Sequence, residues 1–305
     1  MPNKKKILVV GDVMIDRYVH VKTERQAPEA PIPVWDEVSV EHRLGGAANV
    51  AHNVAALGGD EVEVFLAGLV EPKYKKMISS FGINTILCTG EETMIKNRYV
   101  DENMKYLLRA DNIKKFTKKT FYGLHKCLEH FLPGHEFDAV VYSDYDKGTI
   151  DEKVVELIRK ITNPKIVTVD SKCTDLSMYR GSTILKINEF EHANQISKAP
   201  YKSVEQLFKY VVVTHGSKGS ELRENVAQYG TDRSYATTAE MFVGESVKAT
   251  DVTGCGDTHA AALTFSLVKN SDVRLAVKFA NACARNVVQK FGTSVSDVNL
   301  VNTVL

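Results

Sequence analysis

The chain has 305 residues, 44% of them hydrophobic, with 39 lysines and arginines against 38 acidic residues. That length and apolar content suit one large α/β domain, or one domain with a small lid. The formal charge of +1 argues against a nucleic-acid or membrane-surface protein as a whole.

No apolar run is long enough to span a bilayer, and no signal peptide is visible. The five cysteines (Cys88, Cys127, Cys173, Cys255 and Cys283) are scattered and form no CxxC pair. The expectation is a cytoplasmic protein with reduced thiols and no zinc site.

In chain order, residues 7–10 form an apolar run of buried-strand type, with Gly11-Asp12 at its carboxyl end, where open α/β sheets place ligands. Asp12 and Asp16 are either hydrogen-bond acceptors for sugar hydroxyls or plain turn residues. The stretch 23–33 carries three prolines and cannot be helix, and 34–40 reads as a strand. A strand pair is expected at 93–101 and 105–111, turning near Glu102-Asn103. Together these pieces would form a small sheet projecting from the main domain, with lid segments at about 18–44 and 93–111.

Gly45-Gly46-Ala-Ala-Asn49 opens a helix over 50–57, which Gly58-Gly59 ends. The glycines permit either close approach of a ligand or tight helix packing. Strands follow at 63–68 and 84–88 with a short helix at 73–81 between them, then a helix at 116–131. Strands at 138–143, 165–169, 182–187 and 210–214 each end in a polar loop, and 151–161 is helical. The repeated order of apolar strand, polar loop and helix predicts a doubly wound, mainly parallel sheet with its ligand edge at the strand ends. Short β pieces are expected from 219 to 247, and a long helix at 273–290.

The segment Asp251-Val-Thr-Gly-Cys-Gly-Asp257 precedes an alanine- and leucine-rich run without proline or glycine, so a helix should begin near Asp257. A glycine turn at a helix N-terminus offers unpaired N–H groups and partial positive charge to an anion. Asp257 beside it can take a proton from a hydroxyl. Alone, Gly-x-Gly-Asp more often marks an acidic helix cap that does no chemistry.

Taken together, Gly45-Gly46 with Asn49, Asn188-Glu-Phe-Glu191 and Asp251 to Asp257 resemble, in order, the signatures of the ribokinase-like (PfkB) carbohydrate kinases over nearly the whole chain. Gly11 to Tyr18, Ala27 to Val34, Lys96-Asn-Arg98 and Ser143-Asp-Tyr-Asp-Lys-Gly148 are similar to the heptose-7-phosphate kinases within that family. With Leu305 as the last residue, the chain is read as the stand-alone kinase form. It departs from the family pattern at Cys255 (usually Ala), Asp146 and Cys173 (usually Gly), Ser171 (usually Pro) and Lys186-Ile187 (usually Thr-Pro). The stretch 68–76 is also shortened.

The resemblance implies a ribokinase-like fold of one domain and transfer of phosphate from ATP to a sugar phosphate at its anomeric hydroxyl. Asp257 would be the general base, with the N–H groups of Gly254, Cys255 and Gly256 holding the transferring phosphoryl group. Glu191 would position Mg²⁺ through water, and Asn188, Thr214, Gly216, Gly219 and Asn281 would bind the nucleotide. Asp12, Asp16, Gly45, Gly46 and Asn49 would hold the sugar. Lys96, Arg98, Arg109 and Lys172 are candidates for its distal phosphate. A homodimer through the lid is implied by the same resemblance. Other acceptors (another sugar, sugar phosphate or nucleoside), or a non-catalytic sugar-binding protein on this fold, are the alternatives.

Overall fold

Strand β1 (Lys5–Gly11) explains the layering in miniature. Its side chains alternate: Ile7 and Val9 enter one apolar cluster, Leu8 and Val10 the other. A strand apolar on both faces must be covered on both faces. The computed structural model describes residues 4–88, 92–112, 118–198, 203–225 and 237–305.

The further strands of the main sheet are β4 (Val62–Leu69), β5 (Ile83–Cys88), β8 (Ala139–Asp144), β9 (Ile166–Ser171), β10 (Ile184–Asn188), β11 (Tyr210–Thr214), β12 (Ser220–Asn225) and β13 (Thr237–Phe242). Their order is β13-β12-β11-β10-β9-β8-β1-β4-β5. Pairing is parallel from β5 through to β11 and antiparallel for β12 and β13. Helices α1 (Ala47–Gly58), α2 (Pro72–Ser79), α6 (Cys255–Asn270) and α7 (Val273–Val287) cover one face. Helices α3 (Lys118–Phe131) and α4 (Glu152–Thr162) cover the other. Between β1 and β8 the strand order reverses direction, and the carboxyl ends of these strands form the crevice where such sheets bind ligands.

The second sheet has the order β3-β2-β6-β7, with β2 (Val13–Gln26), β3 (Pro33–Gly46), β6 (Met94–Val100) and β7 (Tyr106–Asn112). The hairpin expected around Glu102-Asn103 is there. The Pro-rich stretch is not helical, as expected, and β2 before it runs through Asp16 and Tyr18, so Asp16 lies in a strand rather than a turn. Strand β3 is twice as long as the 34–40 reading and carries Gly45 and Gly46 at its end. The prolines fall in and beside the hairpin loop, where no ladder N–H is needed.

Other differences are at element ends. The last long helix stops at Val287, and a short helix α8 (Asn299–Val304) follows. Helix α5 (Glu189–Lys198) begins directly after β10. Residues 116–117 of the expected helix and 226–236 of the expected β pieces lie outside the described residues.

The small sheet is tied to the chain around α6 and α7. Arg43 of β3 donates to the carbonyl of Phe291 at 2.5 Å, and its guanidinium stands 5.0 Å over the Tyr18 ring. Tyr106 of β7 stacks on Phe291 with ring centroids 5.4 Å apart, and its hydroxyl donates to Asp251.

Gly46 shows how tightly the two sheets join. Its φ is +54°, and a Cβ there would lie 2.4 Å from the backbone oxygen of Asp12. Left-handed backbone costs about 1 kcal/mol for a residue with a Cβ, before any clash. Gly46→Ala should therefore lower stability by about 2 kcal/mol or more. The check is a lower denaturant midpoint at unchanged slope.

Candidate active site

Helix α6 is buried along most of its length, and its first turn opens on a crevice. Gly254 caps it in the left-handed region at φ 79°. A Cβ at Gly254 would meet the Asn49 amide nitrogen at 2.7 Å, so glycine also makes room for the Asn49 side chain. Among the described residues, no protein group accepts from the N–H groups of Gly254, Gly256 or Asp257. The Cys255 N–H departs from expectation: it closes the turn by donating to the Val252 carbonyl at 3.3 Å. The seat therefore offers the amides of Gly254 and Gly256, with that of Asp257 added, and Cys255 serves the turn.

Asp257 is 4% exposed and lines the crevice. Its Oδ2 accepts from Asn49 Nδ2 at 2.9 Å and its Oδ1 from the Tyr145 hydroxyl at 2.5 Å. Burial pushes its carboxyl up from the ordinary carboxylate range, with the two donated hydrogen bonds opposing. Asn49 thus holds the carboxylate rather than standing free for a sugar, and its Oδ1 is taken by Asn53. Asn49 (α1) and Asp257 (α6) meet because both helices pack on the same face of the sheet.

Asp12 is fully buried and accepts from the backbone N–H groups of Tyr145, Lys147 and Thr149 at 2.7, 3.2 and 3.3 Å. Burial pushes its pKa up to about 6. Its structural work is to pin the loop after β8, across the switch point, and not to present oxygens to solvent. Asp16 pairs with Arg98 at 2.9 Å, both buried, on the neighbouring strands β2 and β6. Gly45 lets that pair form: a Cβ there would lie 2.5 Å from Asp16 Oδ2. The sequence reading placed Asp12, Asp16, Gly45, Gly46 and Asn49 on the sugar, yet each has a job within the protein.

Of the four candidate phosphate cations, Lys96, Arg98 and Arg109 share the small sheet, with Arg98 opposite Arg109 in register. The Lys96 ammonium stands 5.1 Å from the Tyr145 ring centroid, and burial lowers its pKa. Arg109 is half exposed and paired with Asp111. Lys172 belongs elsewhere. It hydrogen-bonds Glu191 and stands 3.7 Å from Asp170, in the crevice that Asn188 and Gly216 also line. Burial works against its charge, but Asp170 and Glu191 outweigh burial and push its pKa up to about 12.

Two cavities meet at Gly256. One, of about 480 Å³, is lined by Tyr145, Lys172, Lys186, Asn188, Gly254 and Asp257 among others. The other, of about 450 Å³, lies between the loop after β11 and helix α7, and includes Gly219, Val252, His259, Asn281 and Val288. Thr214 and Gly216 border both. Gly216 and Gly219 take φ of +58° and +95°, and a Cβ on Gly219 would lie 2.1 Å from the Phe242 oxygen. Asn281 donates to that same oxygen and accepts from Ser220. His259 beside it is kept neutral, its pKa lowered to about 4 by burial and by Lys186.

Asn188 and Glu191 form a reciprocal cap at the start of α5. The Glu191 N–H donates to Asn188 Oδ1 at 2.8 Å, and the Asn188 N–H donates to Glu191 Oε2 at 3.0 Å. The three-residue spacing thus has a local structural reason, and Asn188 lines the same crevice as the turn that opens α6.

Sequence reasoning missed Tyr145, Asp170 and Lys186 as site residues. Lys186 Nζ is buried, 3.0 Å from Asp170 and 2.8 Å from where a Cβ on Gly256 would stand. Burial pushes the Asp170 carboxyl up, but Lys186 and Lys172 outweigh it and hold the group low. The signal for Lys186 was its departure from the usual Thr-Pro. Tyr145 stood inside the quoted 143–148 motif.

A profile described as pfkB family carbohydrate kinase matches residues 4–299. The chain is 36% identical over 316 aligned residues to the bifunctional protein HldE of Shewanella sp. (strain W3-18-1), covering 98% of this chain and 63% of that protein. It is 32% identical to the bifunctional protein HldE of Helicobacter pylori (strain G27), covering 99% and 66%. It thus spans a little under two thirds of the length of these curated relatives. Among solved structures, phosphofructokinase-2 from Escherichia coli superposes with a TM-score of 0.72 at 16% identity, covering 99% and 98% of the two chains. Ribokinase from Thermotoga maritima gives 0.68 at 20% identity, covering 97% and 98%. An Arabidopsis thaliana ribokinase complexed with ribose and ATP gives 0.66 at 18%, covering 99% of each chain. The chain has the ribokinase-like fold and belongs to the pfkB family of carbohydrate kinases.

Proposed function

We propose that this carbohydrate kinase transfers the γ-phosphoryl group of ATP to the anomeric hydroxyl of a heptose 7-phosphate, giving the 1,7-bisphosphate. The observation that carries the reading is the meeting of Asp257 with unspent backbone N–H groups at the mouth of α6. The heptose assignment is supported by the 143–148 and 96–98 motifs and by the similarity to HldE proteins. Other ribokinase-like acceptors are the rival reading.

In the reaction, Asp257 accepts the proton of the sugar hydroxyl as its oxygen bonds to the γ-phosphorus. The bond from that phosphorus to the ADP oxygen breaks, and ADP leaves. The N–H groups of Gly254 and Gly256 and the ammonium of Lys186 stabilise charge on the moving phosphoryl group. ATP binds along the two cavities, its base near Asn281 and its phosphates toward Gly216, Asn188 and Gly256. Lys96, Arg98 and Arg109 on the lid sheet face the sugar's distal phosphate.

The described residues hold no cluster of three or more side chains able to cage a metal. That suits Mg²⁺, which keeps its waters and binds mainly through substrate phosphates, with Glu191 as the nearby carboxylate. Bound there, it would neutralise phosphate charge.

The small sheet would act as a lid within a single kinase domain. Its exposed apolar residues Val38, Val40, Leu107 and Leu108 suit pairing with a second copy. Free thiols at Cys127, Cys173, Cys255 and Cys283 suit a cytoplasmic setting.

ATP turnover against a panel of heptose 7-phosphate, fructose 6-phosphate and ribose tests the substrate. Heptose 7-phosphate should lead by at least tenfold in kcat/KM, and an inert heptose with an active rival overturns the assignment. Asp257→Asn should cut kcat by about 10²–10⁴, the worth of a general base, while ATP binding by calorimetry persists. The burial-raised carboxyl sets the pH dependence. The base works ionised, so kcat/KM should fall as pH drops, with a midpoint above the ordinary Asp value of 3.8. Lys186→Met with Asp170→Asn removes that ion pair without stranding a charge. It should cost about 100-fold in kcat, as loss of one preorganised donor does, with little change in sugar KM.

A further inference from the structure

Each carboxylate oxygen of Asp257 accepts one hydrogen bond in this structure. Asn49 holds Oδ2 from behind, and the Tyr145 hydroxyl sits 2.5 Å from Oδ1 on the side that lines the crevice. An acceptor hydroxyl must come within hydrogen-bond reach of Oδ1 on that same side to hand over its proton. Tyr145 is well placed to hold the position and then leave it. Its backbone is fixed, because its N–H donates to Asp12 at 2.7 Å. Its ring, by contrast, is flanked by two cations: Lys96 at 5.1 Å and Lys172 at 5.6 Å from the centroid.

Such cation–ring contacts are weaker than a charge-assisted hydrogen bond from an ammonium to a phosphate. A phosphorylated sugar therefore competes successfully for Lys96, the lid-sheet lysine that steadies the ring. Burial, reinforced by Asp257, raises the Tyr145 pKa, so the hydroxyl remains a neutral donor.

We propose that Tyr145 is a placeholder for the acceptor. Its hydroxyl caps the catalytic base in the free and ATP-bound enzyme, and is displaced by the sugar hydroxyl when a phosphorylated sugar binds. The consequence is chemical. With Oδ1 capped, water cannot give its proton to Asp257 and attack the γ-phosphorus, so ATP is not wasted as ADP and phosphate. This rests on Asp257 being the base, and the experiment separates the two claims.

The test is Tyr145→Phe, which keeps the ring and removes only the hydroxyl. ADP release is followed with ATP and Mg²⁺ alone, and kcat/KM for the best acceptor is followed against pH. Without acceptor, ATP hydrolysis should rise about tenfold, the factor that about 1.4 kcal/mol corresponds to. The acid limb of kcat/KM should move to higher pH, because Asp257 loses a donor that favours its ionised form. Unchanged hydrolysis with an unmoved limb, or loss of sugar-dependent kcat without added hydrolysis, overturns the proposal.

Wild-type enzyme supplies a second test that needs no variant. A 1,5-anhydro analogue of the acceptor displaces Tyr145 without supplying a hydroxyl, and should stimulate ATP hydrolysis. If the analogue leaves hydrolysis unchanged or suppresses it, the placeholder idea fails. Asp257→Asn that retains turnover would instead remove the base, whatever Tyr145 does.

Discussion

Burying a carboxylate at the mouth of α6 costs its ionised form the water that would stabilise it, which is why the proton affinity of Asp257 is raised. The protein returns part of that loss through Asn49 and Tyr145, and the helix N-terminus supplies partial positive charge. The balance leaves a carboxyl whose proton affinity stays above the ordinary value despite two donated hydrogen bonds. Much of the surrounding structure serves this balance. Gly254 has no Cβ, so that Asn49 can reach across from α1. The apolar face shared by α1 and α6 keeps the two helices in register.

The main sheet contributes through its topology. Asp12 ends β1, and the 145–149 backbone that it captures follows β8. These strands are neighbours only because the strand order reverses between them. Three N–H groups converge on one buried carboxylate, so the loop carrying Tyr145 is fixed by the fold rather than by its own sequence. The small sheet grows out of the same point, since β2 continues from β1 past Asp12. Lys96 and Arg98 lie on β6, which is held beside β2 by parallel pairing in register.

Much of this was legible in the sequence, and the failures share a cause. Local signals worked: the glycine turn before a helix, the apolar strand runs and the hairpin at 102–103 all depend on neighbours within a few residues. The partner of a buried polar group was not legible. Asp257 meets residues 112 and 208 positions away, and Asp16 meets Arg98 across 82. Nothing local states that Asp12 faces the protein's own amides instead of a ligand. Strand β2 was hidden because its exposed end is charged and leads straight into the prolines of the hairpin loop. For Cys255, the motif implied three amide donors, but one of them must close the turn that presents the others.

Lys186 shows how a departure from the family pattern is accommodated. A lysine in place of the usual Thr adds a buried positive charge, which must be paired or it would shed its proton. Asp170 pairs it at 3.0 Å, and Lys172 with Glu191 completes a cluster of two cations and two anions. The ammonium fits only because position 256 lacks a Cβ, which would come within 2.8 Å of it. A polyphosphate entering the crevice meets lysines whose present partners are carboxylates of the protein. Binding then exchanges one anionic partner for another in a site already built for charge. Such an exchange reorganises less than desolvating bare ammonium groups would, and it keeps both lysines pointed at the reacting end of α6.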